Sequence, residues 1–249
     1  MVRVRGRGRT AATTASMALT AVLTVAAPTS AAPASAPVRH APPAGSARFL
    51  WTDDRTNEIS TSASFVPPGA QPIVGNFAGD PLQDVADDIV WYTPGPGGDS
   101  LWESRANRHF APHPTSIDGT FIPIVGQFST DHHEDILWYA PGPAPDALWD
   151  FDDDGTVTTR PLRIDGRYQP IIGRFRGVGD DILWYGRGSA PDTLWSFDGD
   201  RLTKQTLTID GTYTPIVGQF GGWGGANQDY KQDIFWYAPG PAPDGIWDF

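Results

Sequence analysis

One phrase returns four times in this chain and restricts what the chain can become. In its fullest form it reads Asp135-Ile-Leu-Trp-Tyr-Ala-Pro-Gly-Pro-Ala-Pro-Asp-Ala-Leu-Trp149. It recurs as Asp88-Ile-Val-Trp-Tyr-Thr-Pro-Gly-Pro, as Asp181-Ile-Leu-Trp-Tyr-Gly-Arg-Gly and as Asp233-Ile-Phe-Trp-Tyr-Ala-Pro-Gly-Pro. An apolar run, a Pro/Gly break and a second run ending in Leu/Ile-Trp read as strand, turn, strand. A block of the form Pro-Ile-Val/Ile-Gly-x-Phe precedes each copy, from Pro72, Pro123, Pro170 and Pro215, and Ile-Asp-Gly precedes that block at Ile117, Ile164 and Ile209. A glycine fixed inside a strand, as at Gly75, Gly126, Gly173 and Gly218, implies close backbone approach or a bulge.

The tryptophan of Trp-Tyr falls at 91, 138, 184 and 236, so the unit is 46 to 52 residues long. Each unit holds four strand candidates. They are Pro-Ile-Val-Gly-x-Phe, Asp-Ile-Leu-Trp-Tyr, Leu-Trp-Asp-Phe, and a weakly alternating stretch such as Val157 to Ile164. No stretch has the helical period. Four short strands per unit of this length predict an all-β chain, a β-propeller of four blades with about four antiparallel strands each. The first recognisable piece, Phe49-Leu-Trp51, and the last, Ile246-Trp247, are the same strand type, so one strand is surplus to a four-blade ring. A five-blade ring with a split blade is the alternative. An open edge could also pair with a second copy.

The string Val74-Gly-Asn-Phe-Ala-Gly-Asp80, followed by Asp87-Asp-Ile-Val-Trp-Tyr92, resembles the FG-GAP/VCBS repeat, and the resemblance extends over all four units. It implies an integrin-α-like propeller of a bacterial secreted protein, with Ca2+ held by loop Asp and Asn oxygens. The loops depart from that pattern. The first, with Asp80 and Asp84, keeps spaced carboxylates, whereas Arg176-Gly-Val-Gly179 is too short. A second metal candidate is Asp150, Asp152 and Asp154 ahead of Gly155, the front half of a calcium loop without its closing Glu. The same residues also suit a hairpin turn.

The N-terminus reads as an export signal. Arg3, Arg5, Arg7 and Arg9 precede an apolar run from Met17 to Pro28, and small residues follow to Ala36. Residues 1–36 are thus expected to be a signal peptide, 37–47 a disordered Pro/Ala-rich linker and 48–249 the propeller. The apolar run is shorter than the roughly 20 residues a membrane span needs. Without the four leader arginines, 14 basic residues face 29 acidic ones, and the net charge moves from −11 to −15. Such a chain is a poor partner for nucleic acid or anionic membranes. It contains no cysteine, which removes disulfides and a lipid-anchored Cys from consideration.

Function is less constrained. The tryptophans Trp91, Trp138, Trp184 and Trp236 suit either sugar stacking or the core, because blades bury both faces. Trp223 lies in a Gly-rich insertion of one unit and is the better loop candidate. No catalytic residue is assigned. His132-His133-Glu134-Asp135 resembles an acid/base cluster, yet neighbouring side chains on extended backbone point apart. The recurring aspartates Asp88, Asp135, Asp181 and Asp233 read more simply as structural bonds to turns or neighbouring blades. The expectation is a secreted, non-catalytic carbohydrate-binding propeller. A protein-interaction or adhesion propeller and an extracellular glycosidase or lyase are the alternatives.

Overall fold

The computed structural model describes residues 46–52, 59–79, 86–105, 109–152, 154–176, 179–199, 201–220 and 231–249. The leader, most of the linker, Trp223, Asp80 and Asp84 lie outside them. Every regular element among the described residues is a strand, and no helix there is long and apolar enough to cross a membrane.

The repeat builds sheets one unit at a time. The first full sheet runs β3 (Gln71–Gly75), β4 (Asp88–Tyr92), β5 (Asp99–Arg105), β6 (His109–Thr115). The second is β7 (Ile122–Gly126), β8 (Asp135–Tyr139), β9 (Asp146–Phe151), β10 (Val157–Leu162). The third is β11 (Gln169–Gly173), β12 (Asp181–Tyr185), β13 (Asp192–Asp198), β14 (Arg201–Leu207). A three-stranded sheet ends the chain, β15 (Thr214–Gly218), β16 (Asp233–Tyr237), β17 (Gly245–Trp247). At the start, β1 (Ser46–Thr52) pairs with β2 (Ile59–Phe65) as a two-stranded sheet. All pairings are antiparallel, and sequential strands are neighbours. The four strand types read from the sequence therefore follow one another across each full sheet, and β1 begins at Ser46, just before the expected boundary.

Alternation on the second strand decides how sheets stack. Ile136 and Trp138 face one side and Leu137 and Tyr139 the other, and all four are buried. One core layer joins Ile73, Phe77, Val90, Tyr92 and Leu101 of the first sheet to Ile136, Trp138 and Phe151 of the second. The same layer forms between the second and third sheets and between the third and last. In each, a tyrosine meets the next unit's tryptophan: Tyr92 with Trp138 at 5.0 Å, Tyr139 with Trp184 at 4.9 Å, Tyr185 with Trp236 at 5.2 Å between ring centroids. Tilted or edge-to-face pairs of this kind contribute about 0.5–1.5 kcal/mol each beyond area burial.

The invariant strand glycine is explained by a ring. A Cβ on Gly75 would lie 2.6 Å from Cζ of Phe77, and Gly126 and Gly173 face Phe128 and Phe175 at 2.7 Å. Only hydrogen fits beneath a phenylalanine folded back on its own strand.

Candidate functional site

The recurring polar groups of each unit are consumed by the frame. Asp88 accepts from the backbone N–H of Phe77 at 2.9 Å, Ala78 at 2.7 Å and Ser104 at 2.7 Å. Asp135 accepts from Phe128 at 2.9 Å and Asp181 from Phe175 at 2.9 Å. The aspartate that opens the third strand ties two further turns. Asp146 accepts from Ala140 at 2.8 Å and Ile164 at 2.6 Å, and Asp192 accepts from Gly186 at 2.8 Å and Ile209 at 2.7 Å. The second bond uses the backbone N–H of the isoleucine of Ile-Asp-Gly, whose side chain is buried at Ile117, Ile164 and Ile209. Its glycine is also used: the Tyr139 hydroxyl donates to the Gly166 carbonyl at 2.9 Å and accepts from the Tyr168 N–H at 2.8 Å. The structural reading of the recurring aspartates thus holds.

Burial has a price in charge. Desolvation pushes the Asp88 carboxyl up to about 6 against the opposing pull of its three N–H donors. The Asp135 carboxyl is pushed up to about 7, by desolvation first and then by the nearby Asp150. Neither group is exposed to a ligand, so these shifts belong to folding rather than to catalysis.

The candidate residues disperse. Trp138, Trp184 and Trp236 are almost fully buried between sheets, their rings packed against tyrosine, and offer no face to a sugar. Trp91 is half-buried with its ring edge-to-face on Trp102 at 5.4 Å. Asp150 turns to Arg160, whose Nη2 is 3.2 Å away. Asp152 and Asp154 remain together in the β9–β10 hairpin, where Gly155 donates to the Asp152 carbonyl at 2.8 Å. Burial and then the hydrogen-bonded neighbour Asp154 raise the Asp152 carboxyl. These two are the carboxylates a cation could share. The His132 to Asp135 cluster also separates. Glu134 bonds to the Asn76 N–H at 3.0 Å, His133 is buried and Asp135 belongs to the frame.

The structure offers a different place. Between the outer strands of the first and second full sheets lies a groove of about 160 Å³, lined by Trp149, Phe151, Leu101 and His113, with Gly155 and Val157 beside them. Trp149 is half-buried, whereas its counterparts Trp102 and Trp195 are buried. His113 Nε2 lies 3.0 Å from Oε2 of Glu103, and Arg105 Nη2 lies 2.5 Å from the same oxygen. An aromatic wall is thus set beside an imidazole that is paired with a carboxylate.

The equivalent position one unit later is closed. Arg160 stands where His113 stands, each opposite the leucine of its Leu-Trp strand. The Arg160 Nη1 donates to the Gly199 carbonyl of the next hairpin at 3.3 Å. Lys204 lies over the Trp195 ring, Nζ 3.8 Å from its centroid, and burial lowers its pKa. Opposite Trp149 the matching residue is Thr159. Sequence reading did not single out this groove. The available signal was the row His113, Arg160, Gln205, in which one position of an otherwise regular repeat changes size and charge.

No family model, no curated protein and no solved structure matches this chain.

Proposed function

We propose that the protein is an exported, non-catalytic carbohydrate-binding module, built from four tandem blades of the β-propeller type. The observation that carries this reading is the groove between the first two full sheets. The half-buried Trp149 indole in the groove wall supplies the apolar half of a pyranose site. His113 supplies the polar partner for a sugar hydroxyl, its ring held by the Glu103 carboxylate. The groove has the volume of about one sugar ring, which suits a terminal residue or a single unit of a polysaccharide.

The propeller reading rests on the repeated four-stranded sheets and on their face-to-face stacking. The secretory leader and the acidic composition support export and a neutral or cationic ligand. Calcium would fall to Asp152 and Asp154, in the hairpin that also contributes Gly155 to the groove.

A glycan array and polysaccharide pull-down of the purified protein, with calcium and then with chelator, test this reading. Retention that a free saccharide competes away supports it, and loss with chelator adds the metal. Retention of no glycan in either condition overturns it in favour of a protein ligand.

A further inference from the structure

The last sheet carries one face that every other full sheet buries. Tyr92, Tyr139 and Tyr185 are 0 % exposed, whereas Tyr237 in the same position is 43 % exposed. Phe77, Phe128 and Phe175 are 0 % exposed and Phe220 is 41 %. Ile216 and Ile246 are likewise exposed where their counterparts are core. These four side chains form one apolar face across β15, β16 and β17, with Phe220 just beyond the end of β15.

The first full sheet leaves the complementary face bare. The surface that covers tyrosine and phenylalanine inside the chain consists of the next unit's second strand, Ile136 and Trp138, with Val125 packed beside them. The matching residues of the first sheet are Ile89 and Trp91, both only half-buried, and Val74, which is exposed.

A polar clip fixes each internal interface, and its two halves are also left over. Asn76 and Glu134 exchange bonds, Glu134 N–H to the Asn76 carbonyl at 2.9 Å and Asn76 N–H to the Glu134 carboxylate at 3.0 Å. Gln127 with Asp180 repeats it at 2.8 and 3.0 Å, and Arg174 with Gln232 at 2.7 and 2.9 Å. The next members of the two series are Gln219 on the last sheet and Asp87 on the first, and both are exposed.

We propose that the bare face of β15–β17 docks a second copy of this chain, head to tail, onto that copy's Val74–Ile89–Trp91 face, with Gln219 and Asp87 forming a fourth clip between copies. The interface continues three that already exist, so its chemistry is specified by the repeat. A face-to-face contact of this kind joins unlike patches, and two copies related by a dyad can close it into a ring. Two copies bring eight sheets of three or four strands, within the range of known propellers. Closure within one chain is the competing arrangement. In the single chain the two faces do not cover each other: Tyr237 is 43 % and Val74 54 % exposed. The inference does not depend on what the groove binds.

Sedimentation equilibrium and cysteine cross-linking test it. The purified protein should have twice the chain mass at micromolar concentration, and Tyr237→Asp should halve that mass while keeping the wild-type circular dichroism spectrum. The chain has no cysteine, so Asp87→Cys and Gln219→Cys made on separate chains and mixed under oxidation should give a covalent dimer. Placed on one chain, the pair should also link chains. A disulfide formed within a monomer by the double variant, or a wild-type protein that stays monomeric, overturns the proposal.

Discussion

The two grooves between successive full sheets share a frame and differ in what fills them. Both are walled by a Leu-Trp strand and the hairpin of the next unit. In the first, His113 is too short to cross, Thr159 leaves the Trp149 ring uncovered, and a space of about 160 Å³ remains. In the second, Arg160 reaches the Gly199 carbonyl and Lys204 caps Trp195. A repeat keeps its backbone bonds constant, through buried aspartates and tyrosines, and varies the outer strand. On the proposed reading, binding is set by residues that the frame does not use.

The largest expected effect separates the two tryptophans. Trp195→Ala removes a buried ring and should cost about 3–5 kcal/mol of stability by denaturant titration, while saccharide binding by the folded fraction persists. Trp149→Ala should cost clearly less stability and weaken saccharide binding at least tenfold by calorimetry, about 1.4 kcal/mol. Equal stability losses with unchanged binding would erase the distinction between the grooves.

Exchange of the filling residues should move the site. His113→Arg is expected to place a guanidinium beside the Gly155 hairpin and to weaken binding about tenfold, by about 1.4 kcal/mol, with the melting temperature unchanged. Arg160→His combined with Lys204→Thr should open the second groove and raise the calorimetric stoichiometry from one saccharide per chain towards two.

The smallest effect concerns what the grooves have in common. Asp88 and Asp135 have folded-state pKa values raised to about 6 and about 7. The native state therefore holds protons that the unfolded chain releases near pH 4. Their contribution to stability is fully present below pH 4 and declines as pH rises, to about 6 for Asp88 and about 7 for Asp135. Asp135→Asn cannot ionise, so its deficit in melting temperature relative to wild type should be larger at pH 5 than at pH 8. A deficit that grows with pH would reverse the sign and contradict the burial argument.

Much of the frame was legible in the sequence because the same bonds are written four times. Asp-Ile-Leu-Trp-Tyr gave the central strand and its two buried faces, and Ile-Asp-Gly marked a connection whose isoleucine N–H and glycine carbonyl are both used. The site was not legible for the same reason. The repeated tryptophans attract attention, yet Trp138 and Trp184 repeat because they are core. Trp149 differs from Trp195 through Thr159 and Lys204, which lie across the sheet on the least regular strand. His113 likewise gains meaning only when the hairpin of the next unit is placed beside it. The contact of His113 crosses units, the other two cross strands within one sheet, and no single motif contains any of them.

The most direct test follows the tryptophan indole N–H signals by NMR while the saccharide identified on the array is titrated. The account predicts that the Trp149 signal, assigned by its loss in Trp149→Phe, shifts in a saturable way while the Trp195 signal stays in place. Saturable binding that leaves Trp149 unmoved, or shifts confined to other tryptophans, would contradict the assignment of the open groove as the binding site.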